Sequence, residues 1–346
     1  MRNPFRVAVV VLCLSVTLNA QSGRVGQRDR SRPEQQQSNE DAIQLKSTLV
    51  SVPVIVSDRG GRYISNLKRE DFKLYEDRAE QKIAVFDTEE EALNVALLLD
   101  TSQSTAGVLD DIKKSATKFL KELRPKDKAM VVTFDAEIRV LCGLTSDQRE
   151  LEHAVKSAQN PGRFGTKLRD AVAQVFDRYF KNVEGRKAII LLTDGKDAGS
   201  YVPEDELFDK ASESGAMVYP VFFETRFGHR NGGPQWGHGG RGGWGGRDRF
   251  PQGQDRRGGR ASQRNERAED FLTSLAEVSA GRFFSSKVED LKSTFSEIAE
   301  ELRHQYRLGF YPDPGKADGQ KHSIRVEVSR QDLAVRARRS YQAVGH

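Results

Sequence analysis

The chain has 346 residues, 37% hydrophobic and 30% charged, enough for one large or two modest domains with real cores and unlike a collagen, a disulfide-rich miniprotein or a polytopic membrane protein. Its two cysteines, Cys13 and Cys142, supply neither a disulfide framework nor a zinc cluster. The net charge of +5 is concentrated: residues 228–260 hold seven Arg against two Asp, and the remainder sums to zero.

Met1, Arg2 and Arg6, an apolar run over 7–18 and Leu18-Asn19-Ala20 match the basic, apolar and cleavage regions of a secretory signal, assigned to residues 1–20. The run is too short to span a bilayer. The expectation is a secreted or periplasmic protein with no integral membrane span after cleavage and Cys142 as its single thiol. Residues 21–43 are polar and Pro/Gln-rich without periodicity, a flexible leader. Residues 44–90 form an N-terminal β segment. Val50, Val52, Val54 and Val56 alternate with Ser51, Pro53, Ile55 and Ser57 before a turn at Asp58-Arg59-Gly60-Gly61, and short strands are predicted over 72–75 and 82–87. So few strands need a partner to be stable.

From Asn94 the rhythm is strand then helix. Apolar runs predict strands over 95–99, 129–134, 137–144, 188–192 and 217–223. Helices fit 108–123, 147–158, 167–183 and 204–214, and the second and third strands are close enough for a hairpin. Continuous apolar strands between amphipathic helices imply a doubly wound α/β domain, a mostly parallel sheet covered on both faces, over 91–303. Its alternation is broken over 226–266 by a disordered Gly/Arg-rich insert containing Trp236 and Trp244, whose central residues 228–260 include thirteen Gly and cannot build a core. Helices resume over 268–280 and 291–302, with a short strand over 282–284 between them. Residues 304–346, with period two at Tyr306, Leu308 and Phe310, then Ile324, Val326 and Val328, then Val335 and Ala337, form a C-terminal β segment. The two flanks are expected to combine into one small β module, because neither has strands enough to stand alone.

In a parallel sheet, ligands gather at the carboxyl ends of the strands, and three segments bring oxygen groups there. The first central strand ends in Asp100-Thr101-Ser102-Gln103-Ser104, a loop reads Gly162-Arg163-Phe164-Gly165-Thr166, and another strand ends in Thr193-Asp194-Gly195. Together they resemble the metal-ion-dependent adhesion site of von Willebrand factor A domains, and the order of strands and helices agrees with that family from Asn94 to Arg303. The resemblance implies a Rossmann-like fold with Ser102, Ser104 and Thr166 touching a cation and Asp100 and Asp194 acting through water. Such oxygens suit a hard ion, Mg²⁺ or else Mn²⁺ or Ca²⁺, with one position left for a carboxylate. The implied function is metal-dependent protein binding, in adhesion or assembly, to a partner presenting an Asp or Glu.

The flanks are also similar to a bacterial group of secreted VWFA-related domain proteins, through Asp58-Arg59-Gly60-Gly61, Asp71-Phe72, Glu76-Asp77, Tyr306-Arg307-Leu308-Gly309-Phe310-Tyr311 and Val335-Arg336-Ala337-Arg338. Arg78 stands where that group tends to place Gly. A second class of function is polyanion binding, polysaccharide or nucleic acid, through Arg and Trp in 228–260. A hydrolase is a third. The six His residues show no ligand spacing and no G-x-S-x-G or phosphate-loop motif is present, so no enzyme is expected.

Overall fold

The computed structural model describes residues 49–342 except 89–90, 225–255, 314–315 and 317, with the backbone alone for 256–262. The signal over 1–20, the leader over 21–43 and most of the insert lie outside the described residues. In chain order the elements are β1 (Val50–Asp58), β2 (Phe72–Glu76), β3 (Ala79–Gln81), β4 (Val85–Asp87), β5 (Leu93–Asp100), α1 (Leu109–Glu122), β6 (Lys128–Phe134), β7 (Ile138–Thr145), α2 (Gln148–Ser157) and α3 (Leu168–Gln174). A π-helical segment, Val175–Phe180, continues α3. There follow β8 (Arg186–Thr193), α4 (Glu204–Ser214), β9 (Ala216–Phe222), α5 (Arg256–Val278), β10 (Phe284–Ser285), α6 (Leu291–Arg303), β11 (Tyr306–Phe310), β12 (Lys321–Val328), β13 (Leu333–Ala337) and β14 (Ser340–Gln342).

The central sheet has the order β10-β9-β8-β5-β6-β7. It is parallel except for β7, which returns beside β6 as a hairpin. β5 lies in its middle, with Leu97 opposite Ile190 on one side and Val131 on the other. Alternation sorts its side chains between two cores. Val95, Leu97 and Leu99 pack with Phe119 of α1, Leu151 of α2 and Phe295 of α6. Ala96 and Leu98 face Val172 of α3, Leu207 of α4 and Leu272 of α5. Every residue of β5 is buried, and each large apolar side chain so placed contributes about 1.5–3 kcal/mol. The fold is therefore doubly wound, with the strand ends as the only parts of β5 left to reach solvent or ligand.

Both flanks build a second unit of packing. Its sheets have the orders β13-β1-β11-β4 and β14-β12-β2-β3, so each contains two strands from before the central sheet and two from after it. β1 is antiparallel to β11 and β13, and β2 to β12. Val52, Val54, Val56, Phe72, Leu74, Leu308, Phe310 and Tyr341 share one core. Ile55, on the opposite face of β1, joins the core under α6 instead, so the module and the α/β domain are continuous.

Three local readings change. The strand predicted over 82–87 is confined to its last three residues, β4, which pairs with β11; the preceding β3, at 79–81, pairs with β2 in the other sheet, and Ile83 is buried in the module core where the chain crosses between them. The helix predicted over 268–280 begins earlier, at Arg256, within the stretch 226–266 read as insert. The C-terminal flank has a fourth strand, β14, paired with β12. At the β2–β3 turn, Asp77 and Arg78 take φ of 46° and 74°. This left-handed pair gives the twist of a tight hairpin without glycine, and the Asp77 carboxylate braces it by accepting from the Ser323 N–H at 2.9 Å.

Candidate metal centre

Asp100 is the last residue of β5 and fully buried. Its Oδ1 accepts from the Ser102 N–H at 2.9 Å, and its Oδ2 from the Thr193 hydroxyl at 2.8 Å. The carboxylate is thereby held between the ends of two adjacent strands. Ser102 Oγ and Ser104 Oγ stand 3.2 Å apart, while the Thr105 hydroxyl lies 2.9 Å from both the Asp100 and Ser102 carbonyls, curling the D-x-S-x-S run into a single turn. Asn160 closes it from outside, its Nδ2 donating to the Ser102 carbonyl at 2.6 Å.

Asp194 follows β8 and is buried. Its carboxylate pairs with the Lys196 ammonium. Gly195 between them has φ 75°, and a Cβ there would come within 2.6 Å of the Ala268 side chain, so the approach of α5 admits only glycine. Thr166 is buried on the loop before α3. That loop is tied to neighbours on both sides: the Ala198 N–H donates to the Thr166 carbonyl at 3.0 Å, and the Lys167 N–H to the Asp135 carbonyl at 2.8 Å. Of the five predicted residues, hydrogen bonds join Asp100, Ser102 and Ser104 directly. Asp194 reaches Asp100 through its charge, and Thr166 stands on a loop pinned to residues beyond β6 and β8.

Burial pushes the Asp100 carboxyl up to about 7; the charge of Asp194 adds to the rise, and hydrogen bonds from Ser102 and Thr193 oppose it. Two buried carboxylates whose charges act on each other favour a cation beside them, and the Lys196 ammonium supplies one to Asp194. The groups offered are carboxylate and hydroxyl oxygens, with no sulfur or imidazole among the five, and this set fits a hard divalent ion.

Several participants escape a reading of motifs. Thr193 and Asn160 act through tertiary hydrogen bonds that no local run displays, and Thr105 through local ones to the Asp100 and Ser102 carbonyls. Asp135 is different: it directly follows β6, is fully buried, accepts from the Glu137 N–H at 2.8 Å and pairs with Arg139. The strand-end rule that finds Asp100 and Asp194 finds it too. In the β module, Glu76, Asp77 and His322 bring ligand-type atoms within 4.8 Å of one another. The Lys316 ammonium lies 3.1 Å from both carboxylates and His322 bridges Asp77 at 2.7 Å and Asp318 at 3.2 Å, so protein cations already neutralise this cluster. Asp77 and His322 are 245 positions apart, which is why the histidine spacing gives no hint of it. The proposed polyanion contact at 228–260 lies outside the described residues apart from the start of α5. Among the described residues no helix is long and apolar enough to cross a membrane.

The solved structures similar to the chain include BatB, a conserved hypothetical protein from Bacteroides thetaiotaomicron, at 21% identity over 61% of this chain and 97% of that one, TM-score 0.43. Another is the vWF domain of the type V pili tip protein Mfa5 from Porphyromonas gingivalis, at 12% identity over 61% and 95%, TM-score 0.43. A third is proximal thread matrix protein 1 from the mussel byssus with a zinc-occupied MIDAS motif, at 14% identity over 64% of this chain and 47% of that one, TM-score 0.45; the chain thus spans less than half of the mussel protein. No curated protein matches significantly. The sequence model of the von Willebrand factor type A domain matches residues 95–196, which include all five candidate ligands, and the chain therefore carries a von Willebrand factor type A domain.

Proposed function

We propose that the chain is a secreted or periplasmic binding protein whose A-type domain captures a carboxylate of a protein partner through a divalent cation, Mg²⁺ or Mn²⁺. Ser102, Ser104 and Thr166 would hold the ion, and Asp100 and Asp194 would orient its waters. Bound there with few anionic contacts, the ion supplies an electrophilic position that an Asp or Glu can fill. The observation that carries this reading is the buried Asp100, fixed between two strand ends, facing the charge of Asp194 and adjoining the paired hydroxyls of Ser102 and Ser104. The reading is of binding, for the groups gathered here are the hydroxyl and carboxylate oxygens that hold a hard cation.

Calorimetric titration of the purified chain with MgCl₂ and MnCl₂ tests it. Saturable heat and a rise in melting temperature are expected, both lost in EDTA and in Asp194→Ala, with the circular dichroism of the variant unchanged. No heat and no thermal shift with either ion would leave the fold standing and remove the mechanism.

A further inference from the structure

Two aromatic side chains beside the candidate centre are exposed far beyond anything the fold requires. Phe164 is 87% and Tyr201 85% exposed; of the other described large hydrophobic side chains only Tyr311 is exposed, at 54%. Phe164 lies two positions before Thr166. Tyr201 belongs to the loop after β8, and its ring lies under the Lys167 ammonium at 5.0 Å. They thus flank the Thr166 loop from both sides.

Neither stands on a loose loop. The Tyr201 and Val202 N–H groups donate to Asp170 Oδ1 at 2.8 and 2.9 Å, the Asp170 N–H donates to Ser200 Oγ at 3.2 Å, and Arg169 Nε donates to Asp197 Oδ2 at 2.9 Å. On the other side Asn160 is bound to Ser102, the Gly162 N–H caps back onto Asn160 Oδ1 at 2.7 Å, and Arg163 pairs with Glu137. Aromatic rings carried on backbone held in this way have few torsions left to fix when covered, which is the property of binding anchors. Of the cations around them, Lys196 pairs with Asp194 and Arg163 with Glu137, and the Lys167 ammonium over the Tyr201 ring is the charge placed to meet an acidic segment there.

We infer that Phe164 and Tyr201 select the partner: an extended protein segment with an Asp or Glu at its centre and a large apolar side chain within about two positions on each side, one against each ring. The inference rests on the metal-dependent reading above, and adds to it the class of sequence recognised.

A phage-displayed library of heptapeptides with Glu fixed at the fourth position, selected on the full chain in MgCl₂, tests it. The selected sequences should carry Leu, Ile, Phe or Trp on both sides of the Glu. A synthetic copy of the leading sequence should bind at least about tenfold more weakly to a Phe164→Ser/Tyr201→Ser variant, and binding should vanish in EDTA. Both proteins should show the same thermal shift with MgCl₂, since neither ring touches the proposed ligands. Absence of enrichment, equal affinity for wild type and variant, or binders indifferent to EDTA would overturn the inference. A normal MgCl₂ shift beside any of these results leaves the metal site standing, whereas loss of the shift in wild type itself overturns the metal reading. Magnesium-dependent dimerisation of the full chain, seen by sedimentation and lost in the double variant, would give the rim to a second copy and overturn the choice of partner.

Discussion

Asp100→Asn should invert the order of stability between metal-free and metal-loaded protein. Without a cation, folding carries this carboxyl from an ordinary pKa near 3.9 to about 7. The folded state holds the proton to higher pH than the unfolded chain does, so wild-type stability falls as pH climbs from about 4 through 7 and is flat above. Three units at about 1.4 kcal/mol each give an upper bound of roughly 4 kcal/mol at pH 8. Asparagine removes that charge while its oxygen still accepts from the Ser102 N–H; its amide then faces Thr193 Oγ1, which already accepts from the Gly195 N–H at 3.0 Å, at a cost of about 1 kcal/mol. In EDTA at pH 8 the variant should be more stable than wild type by about 1–3 kcal/mol, and at pH 5 by nearly nothing. With MgCl₂ at a thousand times its dissociation constant, wild type gains about 4.1 kcal/mol and the variant nothing, so the order reverses. Urea unfolding at both pH values, in EDTA and in MgCl₂, reads all four corners. A variant equally destabilised at pH 5 and pH 8 in EDTA would refute the electrostatic reasoning, and one that retained the magnesium gain would show that Asp100 is not needed to hold the ion.

Three other outcomes are expected. Burial disfavours the charged imidazole of His322, but its hydrogen bonds to Asp77 and Asp318 outweigh this and raise its pKa, while the His322 bond above all holds Asp77 far below the usual carboxylate range. This pairing stabilises the β module fully between about pH 4 and 6.5 and is lost as pH rises through the raised His322 value, so His322→Gln should flatten the decline in melting temperature between pH 6 and 8; an unchanged slope would assign it to other groups. Gly281→Ala would set a Cβ 1.8 Å from the Val218 carbonyl oxygen, whereas one at Gly143 meets nothing within 4 Å. The first should cost about 3 kcal/mol and the second should be neutral or slightly favourable, compared by denaturant midpoints. Glu301, 1% exposed, accepts from the Tyr219 hydroxyl at 2.8 Å and the Tyr63 hydroxyl at 3.0 Å and pairs with Arg336. Glu301→Gln should lose roughly 2–3 kcal/mol, the low end for a broken buried pair because Arg336 keeps access to water, and a loss below 0.5 kcal/mol in urea would contradict the burial argument.

The central strands were legible because β5 and β8 are buried on both faces and read as unbroken apolar runs, and α4 because its periodicity and the following Gly215 mark both ends. α5 was misplaced at its start for an intrinsic reason. Gly258 and Gly259 each oppose helix by about 1 kcal/mol relative to alanine, so composition argues against the helix that the structure begins at Arg256. The 82–87 stretch misled because alternation of buried residues does not say which sheet a strand joins. Ile83 is buried like a strand residue, yet it sits where the chain passes between sheets. The same divide runs through the candidate centre. Asp100, Ser102, Ser104 and Asp194 sit in short runs at strand ends and can be picked out locally. The contacts that shape the turn, Thr193 to Asp100 and Asn160 to Ser102, join residues 93 and 58 positions apart and exist only once the sheet has formed.

The placement of the β module follows from the same strand direction that places the candidate centre. A parallel sheet has two unlike edges, and Asp100 and Asp194 occupy the carboxyl one. The flanks enter and leave at the other. Arg186, the first residue of β8 and fully buried, donates to the carbonyls of Thr88 and Glu91 at 3.4 and 3.2 Å and to that of Leu302 near the end of α6. Arg307 of β11 pairs with Asp87 of β4 just before β5 begins, and the buried Arg338 donates to the Ser212 carbonyl near the end of α4, ahead of β9. Ser51 of β1 closes on Gly215 at that same point, where a Cβ would lie 2.8 Å from its side chain. Each buried guanidinium is costly to desolvate, and each is used to bind carbonyls at the amino-terminal edge. The module is thus fastened to the face opposite the candidate centre, and Phe164, Tyr201 and the loops that hold them remain uncovered by it. On the proposed reading, a partner arriving at the carboxyl edge would have no contact of the β module to displace, and the flanks would anchor the domain while leaving the loops between β5 and α1, before α3 and after β8 open to it.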